Sequence, residues 1–249
     1  MMGVMLVTGA SRGIGAAVAL LAGRKGWDVA INYLQSEEKA EAVADKIRAG
    51  GTNAITVQAD IGIEVDIARM FQEVDAQLGT LHAVVNNAAV DYDTLIAEFN
   101  LDQFRRTFDI NITGPALIAK EAINRMSTRL GGVGGVIVNV SSISSRTGGW
   151  PRDVTYAATK GALDSFTLGL AKEVGPENIR VVSVRPGATR TEIWDGNEVD
   201  LGVANEAVIR EAPLRRMGEP EEIANLVVWA CSDEASYVTA TCLEVAGGR

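Results

Sequence analysis

The sequence predicts one α/β domain built on a doubly wound parallel sheet, and three observations carry that expectation. Seven short apolar runs alternate with helical patterns along all 249 residues, with no linker and no internal repeat. The glycine-rich turn Thr8-Gly9-Ala10-Ser11-Arg12-Gly13-Ile14-Gly15 joins the first run directly to the first helical pattern. Polar or turn residues (Asp60, Asn86, Ser142 and Pro186) close later runs. Parallel strands need crossover connections and are buried on both faces, so they read as continuous apolar runs separated by helices. The crossovers are right-handed, and ligands bind beyond the carboxyl ends of the strands.

Val4-Met5-Leu6-Val7 forms the first strand, and Ile14, Val18, Leu21 and Ala22 give the following helix its apolar face. The second strand covers 28–33. Ser36 is expected to cap the next helix, whose first turn carries Glu37 and Glu38 and whose inner stripe is Ala40, Val43, Ala44 and Ile47. Gly50-Gly51 stops it. A third strand spans 54–58, and Ile67, Phe71 and Val74 mark the helix after it. The fourth strand, 83–85, runs into Asn86-Asn87-Ala88-Ala89. Two helices are expected at about 101–112 and 115–129, divided at Asn111-Ile112-Thr113-Gly114-Pro115. The fifth strand is 136–140, the long helix 154–174, the sixth strand 180–184 and the last strand 242–245. Glu219-Pro220-Glu221-Glu222 opens the final helix, and 190–216 reads as a lid over the substrate.

Composition narrows the function. A net charge of −9 disfavours nucleic acid and anionic membranes as partners, since both reward basic patches. No apolar run of about 18 residues is present to span a bilayer. The first strand begins near residue 4, which leaves no room for a secretory leader. Cys231 and Cys242 lack metal-ligand or redox spacing and fit reduced core residues of a cytoplasmic protein. His82, the sole histidine, opens a strand; no metal site is expected.

Two patterns carry chemistry. Glycines that let the backbone turn tightly, placed before a helix start with unpaired N–H groups, suit a phosphate. In Tyr156-Ala157-Ala158-Thr159-Lys160, the i, i+4 spacing sets phenol and ammonium on one helix face. A tyrosine ordinarily titrates near pH 10, and a neighbouring positive charge lowers that value toward acid–base use.

Taken in order and spacing, the 8–15 turn, Asn86-Asn87-Ala88, Asn111, Ser142, Tyr156 with Lys160, Pro186-Gly187 and the closing Ala246-Gly247-Gly248 resemble the short-chain dehydrogenase/reductase family over essentially the whole chain. The resemblance extends to its glucose dehydrogenase-like and 3-oxoacyl carrier-protein reductase-like members. It implies a Rossmann-type fold and hydride transfer between a nicotinamide cofactor and a carbonyl or alcohol. Carried over, Tyr156 is the general acid–base, and Lys160 lowers its pKa and holds the nicotinamide ribose. Ser142 bonds the substrate oxygen, and Asn111 holds a water that joins Lys160 to solvent. The resemblance places Gly9, Ser11, Arg12, Gly13, Ile14 and Gly15 on the phosphates and Asp60 and Ile61 beside the adenine. Asn87 and Ala88 follow along the cofactor, and Pro186, Gly187, Thr189 and Thr191 hold its carboxamide end. Asn86 ties neighbouring strands. The family also implies a homotetramer, with the helices at 115–129 and 154–174 in one interface, where Leu163, Phe166 and Leu170 lie beside Ala116, Leu117 and Ala119.

NADP is the expected cofactor, with NAD possible. Folds that bind NAD place a carboxylate after the second strand for the ribose 2′-hydroxyl. Here Asn32-Tyr33-Leu34-Gln35-Ser36 offers none before Glu37, and Arg12 can meet a 2′-phosphate. Three positions depart from the family pattern. Ala89 and Ala240 stand where glycine is frequent, and Ser142 precedes Tyr156 by fourteen positions, one more than usual. The expected substrate is a small polar or sugar-like carbonyl or secondary alcohol. The alternatives are a 3-oxoacyl carrier-protein reductase, disfavoured by the acidic charge, and a non-catalytic nucleotide-sensing or scaffolding protein, which would not need the Asn111, Ser142, Tyr156 and Lys160 set.

Overall fold

A computed structural model describes residues 3–191, 206 and 210–249. Seven strands, β1 (Gly3–Val7), β2 (Trp27–Tyr33), β3 (Ala54–Gln58), β4 (Leu81–Asn86), β5 (Gly135–Val140), β6 (Ile179–Pro186) and β7 (Thr241–Val245), form one sheet in the order β3-β2-β1-β4-β5-β6-β7. Every pairing is parallel. The order reverses between β1 and β4, so the carboxyl ends of those strands flank the switch point where such sheets open a crevice.

Helices cover both faces, as continuous apolar strands require. On one face pack α1 (Gly13–Arg24), α2 (Glu37–Ala49) and, near the end of the chain, the helix Pro220–Ala230, around Val7, Val29, Ile31, Val85 and Val138. On the other pack α3 (Glu64–Leu78), the helix Gly114–Met126 and the long helix Val154–Val174, around Leu6, Phe71, Val84, Ile137 and Val181. In chain order, α4 is Leu101–Phe108, α5 Gly114–Met126, α6 Ser144–Thr147, α7 Val154–Val174 and α8 Pro220–Ala230.

The structure corrects several local expectations. Ser36 precedes α2 but makes no side-chain capping bond; the acidic first turn of Glu37 and Glu38 supplies the favourable end charge instead. The division expected at Asn111 is not a break. Asp109–Thr113 is a π-helical turn that carries α4 into α5, and Pro115 is accommodated in the first turn of α5, where an N–H is dispensable. Helix α5 ends at Met126, and Ser127 starts a separate short turn. Ala240 keeps a left-handed backbone (φ +53) before β7, the conformation a glycine would adopt there at lower cost. The sequence reading of 190–216 as a lid falls mostly on residues outside the described ones.

Candidate active site

The carboxyl ends of β1 and β4 are locked together before any ligand is considered. Thr8 Oγ1 accepts the N–H groups of Asn87 and Ala88, each at 3.0 Å, while Asn87 Nδ2 donates to the Thr8 and Gly9 carbonyls at 2.9 and 3.2 Å. Asn32, buried at the end of β2, accepts the Gly9 N–H at 3.2 Å and donates to the Val57 and Ala59 carbonyls. The glycine turn is therefore held from three strands. Its tightness explains the residue type: a Cβ on Gly15 would lie 2.5 Å from Asn87 Nδ2 and from the Gly9 carbonyl oxygen. Gly9 and Gly13 have positive φ (+61 and +58), which a side chain would strain.

From this turn a cleft of about 880 Å³ runs across the carboxyl ends of the strands, within the range typical of cofactor sites. One end is lined by the glycine turn, residues 32–36, Asp60 and Ile61; the other holds Ser142, Tyr156 and Lys160. Among the positions expected from the sequence, Gly9, Ser11, Arg12, Gly13, Ile14, Asp60, Ile61, Asn87, Ala88, Ser142, Tyr156, Lys160, Pro186, Gly187, Thr189 and Thr191 all line it. Gly15 and Asn111 do not. Gly15 packs behind the turn against Asn87, and Asn111 is buried behind the reactive end.

Asp60 does two things there. Its Oδ1 accepts the Gly62 N–H at 2.8 Å, closing a turn, and its Oδ2 pairs with Arg106 at 2.7 Å. On the opposite wall, Thr189 Oγ1 donates to the Gly187 carbonyl at 3.0 Å, and Thr191 stands over Gly13. A dinucleotide fits this cleft in kind: backbone N–H groups at a helix start lie at one end, and a phenol, a hydroxyl and an ammonium at the other.

At the reactive end each side chain has a defined partner. Ser142 Oγ accepts the Ser144 N–H at 3.1 Å and hydrogen-bonds the Tyr156 hydroxyl. Ser141 is buried, and its Oγ is engaged in donating to the Lys160 carbonyl at 3.2 Å. Lys160 Nζ donates to the Val140 carbonyl at 2.9 Å and lies 5.3 Å from the centre of the Tyr156 ring. Asn111 clamps the loop after β4 to α7: Oδ1 accepts the Val90 N–H, and Nδ2 donates to the Val90 carbonyl (2.9 Å) and to Thr159 Oγ1 (3.1 Å). Beneath the site, Asn86 Nδ2 donates to Asn139 Oδ1 at 2.8 Å and ties β4 to β5.

Burial and charge set the acid–base properties. The Tyr156 phenol is held well above its ordinary value, first by burial and then by the charge of Asp91, with the Ser142 hydrogen bond opposing both. Burial lowers Lys160 to about 8, against the pull of Asp164 and Asp91. The lowering of Tyr156 expected from the Lys160 spacing is thus absent in this structure: the ammonium is directed at the Val140 carbonyl, and desolvation outweighs it. The phenol is a proton donor in this state.

Asp91 is the residue that sequence reasoning missed. Burial, followed by the nearby charges of Asp153 and Asp93, raises it from an ordinary 3.8 to about 7, while Lys160 pulls it down. Its folded value exceeds its unfolded one, so the protonated form favours folding, and that stability is lost as pH rises through about 7. Asp91→Asn, which carries no charge to bury, should therefore stabilise the fold at pH 8 by roughly 2–4 kcal/mol and by little near pH 4. Denaturant titrations of both proteins across that range check this; a gain independent of pH would contradict it. Asn32 was missed too, and its signal was present: an amide directly after the apolar run Val29-Ala30-Ile31 in a buried strand needs partners.

Comparisons with known proteins agree with this geometry. Residues 9–249 match a family model described as enoyl-(acyl carrier protein) reductase. The chain is 42% identical over 253 residues to the uncharacterized oxidoreductase YgfF of Escherichia coli K12, covering all of both chains. It is 35% identical over 243 residues to the 3-oxoacyl-[acyl-carrier-protein] reductase FabG of Staphylococcus aureus Mu50, covering 98% of this chain and 96% of that one. A short-chain dehydrogenase from Burkholderia cenocepacia, solved in complex with NADP, superposes with a TM-score of 0.89 at 32% identity over 98% of this chain and 96% of its own. The chain belongs to the short-chain dehydrogenase/reductase family. It is an NAD(P)-dependent oxidoreductase of that family, with the Rossmann-type sheet described above.

Proposed function

We propose that the protein transfers hydride between NADP(H) and a ketone or secondary alcohol, on a small polar or sugar-like substrate. The observation that carries this reading is the convergence of Ser142, Tyr156 and Lys160 at one end of a cleft whose other end is a glycine turn at a helix start. The nicotinamide cofactor supplies the hydride. Tyr156 gives its proton to the carbonyl oxygen in reduction and takes it back in oxidation, and Ser142 donates a hydrogen bond to that oxygen. Lys160, whose Nζ lies 5.3 Å from the centre of the Tyr156 ring, holds the ribose. Asn111 is a positioning residue: both of its amide hydrogens are engaged, so a relay water could meet only Oδ1 or the main-chain carbonyl. A panel of ketones, sugars and acyl thioesters with either cofactor, followed by cofactor absorbance, tests the reading. Turnover confined to acyl thioesters would favour the carrier-protein alternative, and no turnover of any carbonyl would reject the reading.

NADP(H) preference rests on the cleft wall at residues 32–36, which carries no carboxylate, and on Arg12 at its edge. It is supported by the NADP complex of the Burkholderia relative. A charge-assisted bond to the 2′-phosphate is worth about 1.5–3 kcal/mol, so Arg12→Ala should lower the NADP(H)-over-NAD(H) ratio of kcat/KM by roughly 10–100-fold. An unchanged ratio would remove Arg12 from that role.

The 190–216 segment as a substrate lid, a cytoplasmic location and a homotetramer complete the proposal. The apolar argument for the tetramer is narrower than the sequence suggested, because Leu163, Leu170 and Ala119 are buried in the subunit's own core and Phe166 and Leu117 pack against it. Light scattering decides the assembly; a monomer at micromolar concentration would contradict it.

A further inference from the structure

Four cationic side chains line the cleft among the described residues, and each has a place. Arg106 pairs with Asp60, and Arg12 stands at the glycine turn. Lys160 points at the Val140 carbonyl. Arg249 pairs with Glu211 at 2.8 Å and stacks over the Trp150 ring, 4.2 Å from its centre. The carboxylates at the substrate end are placed differently. Asp93 is paired with Arg152 at 2.6 Å, and Asp153 accepts the Trp150 N–H at 3.0 Å. Asp91 lines the same space with no hydrogen-bond or ion-pair partner among the described residues, close enough to Tyr156 and Lys160 for its charge to act on both.

A mostly buried carboxylate without a partner costs stability, and a ligand cation would relieve that cost. The chemistry of the ligand follows from the surroundings. Asp153 and Asp93 line the same part of the cleft and their charges act on Asp91, so an anionic group at this position would be repelled. A neutral hydroxyl would leave the charge uncompensated, whereas an ammonium both neutralises it and donates hydrogen bonds.

We propose that Asp91 is the specificity-determining carboxylate of this site and selects a carbonyl or alcohol substrate bearing a protonated amine near the reacting carbon. The assignment rests on the reading of the cleft as a hydride-transfer site; the amine would dock on Asp91 while the oxygen meets Tyr156 and Ser142.

Calorimetric titration of the NADP⁺-loaded protein with isopropanolamine and with propylene glycol, which differ in ammonium against hydroxyl, tests it without turnover. The amine should bind roughly tenfold tighter or more, as charge-assisted bonds exceed neutral ones, and Asp91→Asn should bring the two affinities together. Equal affinities in the wild-type chain, or an amine preference that survives Asp91→Asn, would overturn the proposal. The wild-type comparison decides alone if the variant does not fold. Turnover of aminoacetone and hydroxyacetone with NADPH separates the two claims. Carbonyl reduction without an amine preference removes the role of Asp91 and leaves hydride transfer standing. Amine binding through Asp91 with no carbonyl reduced does the reverse.

Discussion

Tyr156→Phe is expected to lower kcat/KM for any carbonyl substrate by about 10²–10⁴-fold, the usual contribution of a positioned general acid. The ring remains in its place on α7 beside Lys160, and only the hydroxyl bonded to Ser142 is lost. The change should therefore appear in chemistry and not in cofactor affinity or folding. In the reduction direction a phenol held above its ordinary value stays protonated through the neutral range, so the wild-type rate should show no loss from Tyr156 ionisation below pH 10. Steady-state rates beside NADPH binding measured by fluorescence check both points. A variant within tenfold of wild type would mean that the proton comes from elsewhere, with Asp91 the first residue to examine.

Ser142→Ala is the second large effect. Removing one preorganised donor to a developing oxyanion costs about 10²–10³ in kcat in well-studied enzymes, and a similar loss is expected here with cofactor binding intact. The longer interval before Tyr156 leaves Ser144 as a rival, since it also lines the cleft. The geometry distinguishes them: Ser142 Oγ bonds the Tyr156 hydroxyl, whereas Ser144 contributes its backbone N–H to Ser142. Ser144→Ala should accordingly change KM more than kcat, the signature of a contact made equally in ground and transition states. A near-normal kcat in Ser142→Ala beside a crippled Ser144→Ala would exchange their roles.

The strands were legible because burial on both faces leaves runs such as Met5-Leu6-Val7 and Val136-Ile137-Val138 with no polar interruption. The glycine turn was legible for a related reason: Gly15 lies where no side chain fits. What escaped the sequence depends on contacts between distant segments. The π-turn at 109–113 places Asn111 against Val90 and Thr159, and no local periodicity announces that pairing. The raised phenol of Tyr156 depends on how deeply α7 is buried and on Asp91, which lies 65 positions earlier in the chain. Asp91 itself looks like an ordinary loop residue in Val90-Asp91-Tyr92-Asp93; only the folded cleft shows which of the two aspartates Arg152 neutralises.

Hydride transfer governed by Tyr156 is the central claim, and an isotope experiment tests it most directly. The protein is incubated with NADPH deuterated at its transferable position and a ketone that it reduces, and the alcohol is analysed by mass spectrometry and NMR. One deuterium on the new carbinol carbon per NADPH consumed, with neither label nor consumption in Tyr156→Phe above a few per cent of wild type, is the expected result. Unlabelled alcohol, or labelled alcohol formed equally well by Tyr156→Phe, would contradict it.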